Sequence, residues 1–225
     1  DSITREKLEV LKSHNIGRIS INPQTMQQKT LDVIGRKHTV EDIRKVYCIA
    51  RELGFDNINM DLIAGLPTDT VDGFKYSLDT AINLDPENIT VHTLAVKRSS
   101  TIGQNNPKLA VENANTASEM LKYTYDKLYE KYHPYYMYRQ SKCLGNLENV
   151  GWARDGRVNL YNIVIMEELR SIIAMGGGGS TKLIRPDSGR NIRIMAPKYP
   201  MEYINNIDKT CNDKTGISEF YKEFI

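Results

Sequence analysis

The chain has 225 residues, 40% of them hydrophobic and 26% charged, with a formal charge of +2. That length is enough for one domain with a real core, with or without an appendage. The near-neutral charge excludes a dedicated nucleic-acid surface, and no apolar run reaches the length of a membrane span.

In chain order, a helix-like segment from Thr4 to His14 comes first, and because it starts almost at Asp1 the chain reads as part of a longer protein. Arg18 to Gln24 alternates like a strand. Residues 40–53 follow as a helix, with Ile43, Val46, Ala50 and Leu53 on one face, Glu41 and Asp42 at the positive end and Gly54 as the stop. A second strand is expected over Asn57–Pro67, and a helix striped by Phe74, Leu78, Ala81 and Ile82 comes after it. The third strand covers Asn88–Ala95. A long helix then runs through Ala110, Ala114, Ala117, Leu121, Tyr125, Leu128 and Tyr132, and His133-Pro134 ends it. With a strand up to Tyr138, helix and strand alternate throughout residues 4–138. That order predicts an α/β fold with three to four parallel strands and helices outside.

Beyond Tyr138 the pattern loosens, so a boundary is expected there, dividing 1–138 from 139–225. Residues 139–160 are rich in Gly, Asn and Arg and hold the single tryptophan, Trp152. Tyr161–Met175 suits a helix or a pair of apolar strands. The run Gly176-Gly177-Gly178-Gly179-Ser180 lies between apolar stretches and is read as a close-approach backbone loop rather than a flexible linker. A short strand near Arg193–Met195 and helical pieces over Tyr199–Lys209 and Ser218–Phe224 complete the chain.

Parallel sheets place their chemistry at the carboxyl ends of the strands. Gln24, Asp61 and the Ala95 backbone would therefore share one rim and face one ligand. Asp61 is a carboxylate in an apolar strand, which calls for a ligand, an ion pair or backbone donors. Gln24 offers an amide that donates and accepts, or is a turn residue in water. Arg36 could clamp a carboxylate or phosphate, or be solvated. His38 and His92 lack neighbours at metal-ligand spacing and read as satisfied polar side chains. Tyr132, Tyr135, Tyr136 and Tyr138 could receive a flat ligand or pack at a layer edge. Cys48, Cys143 and Cys211 are too widely spaced for a disulfide framework or a zinc site, so a reducing cytoplasm is expected. No catalytic residue is assigned.

These segments resemble the oxygen-independent coproporphyrinogen III oxidases of the radical S-adenosylmethionine superfamily. Arg18 to Gln24 is similar to the family's RxSxxxQ strand, Leu31 to His38 to LxxxxRxH, and Asn59 to Pro67 to NxDLIxGLP. Tyr138-Arg139-Gln140, Leu144 to Gly151 and Tyr161-Asn162-Ile163 look most like the HemZ-type branch. The resemblance implies the carboxyl-terminal portion of a (β/α)6 barrel, beginning around its fourth strand, plus a small terminal extension. It implies S-adenosylmethionine across the strand ends. The positions of Gln24 and Asp61 would bind the ribose hydroxyls, that of Arg36 the methionine carboxylate, and the Ala95 backbone the adenine. The glycine loop at Met175–Gly179 would lie near the site. The family's CxxxCxxC motif for a [4Fe–4S] cluster is absent, so no metal ligand is assigned.

The activity implied is oxidative decarboxylation of coproporphyrinogen III to protoporphyrinogen IX. In it the cluster cleaves the cofactor and a deoxyadenosyl radical takes hydrogen from a propionate. A haem chaperone on the same barrel and a non-catalytic interaction domain are the alternatives. The expected partner is a tetrapyrrole, not nucleic acid or membrane. This chain alone is expected to be an inactive fragment with weak or undetectable binding of the cofactor and a tendency to self-associate along an open strand edge.

Overall fold

The computed structural model describes residues 2–95, 113–141 and 143–222. Two compact units emerge, Asp1–Val158 and Asn159–Ile225.

The first unit is built on a five-stranded mixed sheet. Its elements run α1 (Arg5–Ser13), β1 (Ile19–Ser20), α2 (Gln28–Val33), α3 (Val40–Glu52), β2 (Ile58–Ala64), α4 (Val71–Asn83), β3 (Asn88–Thr93), α5 (Ala114–Leu128), β4 (His133–Tyr138) and β5 (Asn149–Ala153). The helices start where the sequence provides caps. Thr4, Thr39 and Thr70 each accept a backbone N–H at a helix start, and Thr39 with Asp42 forms a full capping box. The expected start of the long helix at Ala110 lies outside the described residues.

Strand order is β1-β2-β3-β5-β4. The first three strands are parallel, as expected from the repeated strand–helix unit. The fourth strand departs from expectation. β5 lies between β3 and β4 and runs antiparallel to both, so β4 forms the sheet edge and does not pair with β3. The region read as irregular therefore contains a central strand, and the compact unit ends at Val158 rather than at residue 138. Tertiary contacts make this strand. Gly151 is required because a Cβ there would lie 1.8 Å from the Tyr136 ring, and Asn149 accepts the Thr93 N–H at 2.7 Å. Neither residue has an intrinsic preference for strands. β1 is also shorter than the expected strand, because Pro23 has no N–H for the ladder and Gln24 turns to φ +67°.

The two sheet faces differ in chemistry. Ile58, Met60, Leu62, Ala64, Ile89, Val91, Val150 and Trp152 are buried on the helix-covered face. Trp152 packs edge-on against Tyr125 of α5 and Tyr129, the residue that caps its carboxyl end. The opposite face carries Ser20, Asn59, Asp61, Asn88, Thr90 and His92, which alternate with the core residues along their strands. A bulge between Pro134 and Tyr136 sets Tyr136 opposite Gly151 and Tyr138 opposite Asn149, which brings both rings to the polar face.

The second unit contains α6 (Leu160–Met166), the antiparallel hairpin β6 (Ser180–Ile184) and β7 (Asn191–Met195), and the short helices α7 (Pro200–Asn205), α8 (Ile207–Asp213) and α9 (Gly216–Lys222). Only the first part of Tyr161–Met175 is helical. Ile172 instead bridges to Lys182. The glycine run is a tight turn into β6. Gly176 and Gly178 have φ +93° and +72°, and the Gly178 N–H donates to the Pro197 carbonyl at 2.7 Å. Such geometry favours glycine for its backbone freedom and agrees with the loop reading. Phe224, at the end of the last expected helix, lies outside the described residues.

Candidate functional site

The polar face leads to the carboxyl ends of β1, β2 and β3. Gln24 is paired to β2 through its backbone: its N–H donates to the Asp61 carbonyl at 2.9 Å and its carbonyl accepts the Ile63 N–H at 2.9 Å. Gln24, just past β1, thus bridges to Leu62 of β2, one residue beyond Asp61. A left-handed φ at a residue other than glycine is uncommon and costs energy, and here both ladder bonds hold it in place. The Gln24 carboxamide is largely buried and makes one long contact, from Nε2 to the Asn22 carbonyl at 3.4 Å.

Asp61 is partly exposed and held from one side. Its Oδ1 accepts Asn59 Nδ2 at 2.7 Å, and the Thr90 hydroxyl donates to Asn59 Oδ1 at 3.1 Å. This chain fixes the orientation of the Asn59 amide, because only its NH₂ end can face the carboxylate. Asp61 Oδ2 lies 3.7 Å from His92 Nε2. His92 Nδ1 lies 3.3 Å from the Tyr138 hydroxyl. Tyr136 and Tyr138 stack with centroids 6.3 Å apart. Burial pushes the Tyr136 phenol up to about 12, and burial followed by the Asp61 charge raises that of Tyr138.

Ala95 follows β3 on the same rim, two residues past Thr93, which pairs with Ala64 of β2. Its own bridge is to Cys143. Arg36 lies on the exposed loop between α2 and α3, and its guanidinium has no hydrogen bond or ion pair among the described residues. On that loop His38, expected as a satisfied polar side chain, is half-buried with its Nε2 lacking a hydrogen-bond partner among the described residues, and burial lowers its pKa. The structure therefore joins Gln24 to Asp61 directly and puts Ala95 on the same rim. No hydrogen bond or ion pair among the described residues joins Arg36 to them.

Two site residues were not picked out by sequence reasoning. Asn59 and Thr90 look like ordinary polar positions in a strand. The available signal was alternation, since 59 and 61 share a face on β2 and 90 and 92 share one on β3.

Cofactor fit differs for the two groups that the resemblance implies. An uncommitted Asp61 oxygen, a nearly free Gln24 carboxamide and an unpaired Arg36 suit a ligand with a diol and a carboxylate. A cluster finds no such set. Cys48 is exposed on α3, Cys143 is buried beside the Thr93 carbonyl, and Cys211 is in the other compact unit. Among the described residues no three His, Cys, Asp or Glu side chains converge for a metal.

Residues 1–81 match the Radical SAM superfamily. Over 215 residues the chain is 44% identical to the oxygen-independent coproporphyrinogen-III oxidase-like protein HemZ of Bacillus subtilis (strain 168), covering 95% of this chain and 43% of that protein. Over 97 residues it is 39% identical to the heme chaperone HemW of the same organism, covering 43% of this chain and 26% of the relative. The chain thus spans less than half the length of these relatives. Among solved structures, coproporphyrinogen III oxidase (HemN) from Escherichia coli, a radical SAM enzyme, aligns with a TM-score of 0.66 at 19% identity. That alignment covers 92% of this chain and 47% of the other, and it shows a shared fold.

Proposed function

This chain belongs to the radical SAM superfamily and is HemZ-like in sequence, and from that premise we propose that it supplies the ribose- and carboxylate-binding side of an S-adenosylmethionine site. The observation that carries the reading is the backbone pairing of Gln24 to β2 opposite Leu62, which brings Gln24 to the strand rim next to Asp61. Gln24 and Asp61 would bond the two ribose hydroxyls, Arg36 the methionine carboxylate, and the backbone at Ala95 the adenine edge. When bound, S-adenosylmethionine supplies the one-electron chemistry that oxidises an unactivated carbon. This chain's residues hold and orient it, and none of them fits the cluster that would deliver the electron.

The whole-protein activity we propose is oxygen-independent oxidation of coproporphyrinogen III, with a propionate-bearing tetrapyrrole as substrate. The runner-up is a haem chaperone, favoured by the similarity to HemW. Anaerobic assay of the natural full-length protein separates the two. Protoporphyrinogen IX formed with consumption of S-adenosylmethionine supports the oxidase, and haem binding without turnover moves the assignment to the chaperone. For this chain alone, calorimetry is expected to give weak S-adenosylmethionine binding, reduced roughly tenfold or more by Asp61→Asn as a charged hydrogen bond is lost. Binding that is indifferent to Asp61→Asn rejects the ribose assignment.

A further inference from the structure

The two Asp61 oxygens are in different situations. Asn59 occupies Oδ1 through a buried chain that runs back to Thr90. Oδ2 faces the His92 ring at 3.7 Å, beyond hydrogen-bond reach yet close enough for attraction. The other ring nitrogen is engaged by Tyr138 at 3.3 Å. The Tyr138 phenol keeps its proton because burial and the Asp61 charge both disfavour phenolate. The arrangement in which the Tyr138 hydroxyl donates to Nδ1 leaves a ring proton on Nε2, facing Asp61.

We propose that His92, keyed by Tyr138, is a positioning residue that holds Asp61 Oδ2 toward a ribose diol and makes the site choose ribose over deoxyribose. The inference rests on the reading of Asp61 as a ribose ligand. A carboxylate anchored at Oδ1 by Asn59 and flanked at Oδ2 by the imidazole has few substitute partners to turn to. An analogue lacking one hydroxyl then leaves a lone pair unmatched, and that mismatch is the basis of strong rejection. With the His92 arm removed, Oδ2 is free to turn toward water, and the penalty for the missing hydroxyl fades. The packing around His92 fits a device of this kind. Ile63 is its neighbour on β2, and the Tyr138 ring stands edge-on with centroids 6.3 Å apart, so the imidazole has little freedom to turn away.

Two readouts test the proposal on this chain. Nitrogen-15 spectra of the imidazoles should show the His92 proton on Nε2, with Tyr138→Phe shifting the ring to a tautomer mixture. Equal tautomers in the unaltered chain would overturn the proposal. The second readout is NMR titration at millimolar nucleoside with adenosine and 2′-deoxyadenosine. The unaltered chain should prefer adenosine by roughly tenfold, the value of one charge-assisted hydrogen bond. His92→Leu should bring that ratio below about twofold, while His92→Gln, which keeps an N–H donor, should retain most of it. Thermal melts of each variant separate misfolding from lost positioning, and Tyr138→Phe gives a second, milder route to the same loss. A folded His92→Leu chain that still prefers adenosine, or that weakens both nucleosides equally, refutes the positioning role and leaves Asp61 as a ribose ligand. No preference in the unaltered chain, or no nucleoside binding at all, defeats the ribose reading and this inference with it.

Discussion

Asp69 shows how one residue can store a pH dependence. Its Oδ1 accepts the Thr70 N–H at 2.9 Å, while Oδ2 is buried without a partner. Desolvation pushes its pKa up to about 6, against an ordinary value of 3.8. The unfolded chain therefore ionises this carboxyl first as pH rises, and stability contributed by the protonated form is lost between about 4 and 6. Asp69→Asn keeps the acceptor for Thr70 and removes the buried charge. It should raise the melting temperature above pH 6, with the gain shrinking as pH falls through 6 toward 3.8 and the carboxyl becomes protonated in both states. A parallel offset at every pH would contradict the desolvation argument. Asp61 and Gln24 illustrate what was legible at this scale. A carboxylate in an apolar strand and an amide at a strand end stand out in the sequence. The Asn59–Thr90 chain did not, because a hydrogen bond between strands depends on register.

At the scale of elements, the alternating helix–strand pattern was legible because the main helices carry apolar stripes, and α1, α3 and α4 also start at capping threonines. β5 was not. Asn149-Val150-Gly151-Trp152-Ala153 has weak local strand propensity, and it is stabilised by filling the space between β3 and β4. The Tyr136 ring lies over Gly151, so Gly151→Ala must displace an aromatic ring from a packed face. Overpacking of this kind costs about 1–3 kcal/mol, and urea unfolding should show a loss in that range. Shortening Tyr136 to Leu in the same chain should restore part of it. If the double variant is as unstable as the sum of the singles, the clash is not the cause.

For the whole molecule, most of the buried apolar side chains lie within Asp1–Val158, with Leu183 and Phe220 as the buried apolar residues described in Asn159–Ile225. A chain ending at Val158 is therefore expected to fold cooperatively, with its near-ultraviolet signal from Trp152 intact. A chain ending at Tyr138 should not, since it lacks the central strand. Circular dichroism on the two truncations decides the matter, and a folded 1–138 fragment would restore the boundary expected from composition. Reconstitution with iron and sulfide under anaerobic conditions should leave the 225-residue chain colourless. A stable brown species with about four irons per chain, the content of a [4Fe–4S] centre, would show that its cysteines can converge after all. Among the described residues no helix is long and apolar enough to cross a membrane.

What the amino-acid order determined by itself was local. Apolar periodicity set the elements of the parallel half, threonine caps set where α1, α3 and α4 begin, and two conspicuous polar residues marked the rim. Those signals are carried by spacings of a few residues, which can be read along the chain. The tertiary structure alone decided that residues far apart in sequence would share a face. It inserted β5, turned Tyr136 and Tyr138 inward through a bulge, and brought His92 from β3 to face Asp61 on β2. Pairing partners and register depend on which surfaces can be buried together, and that competition is settled only when the whole chain packs.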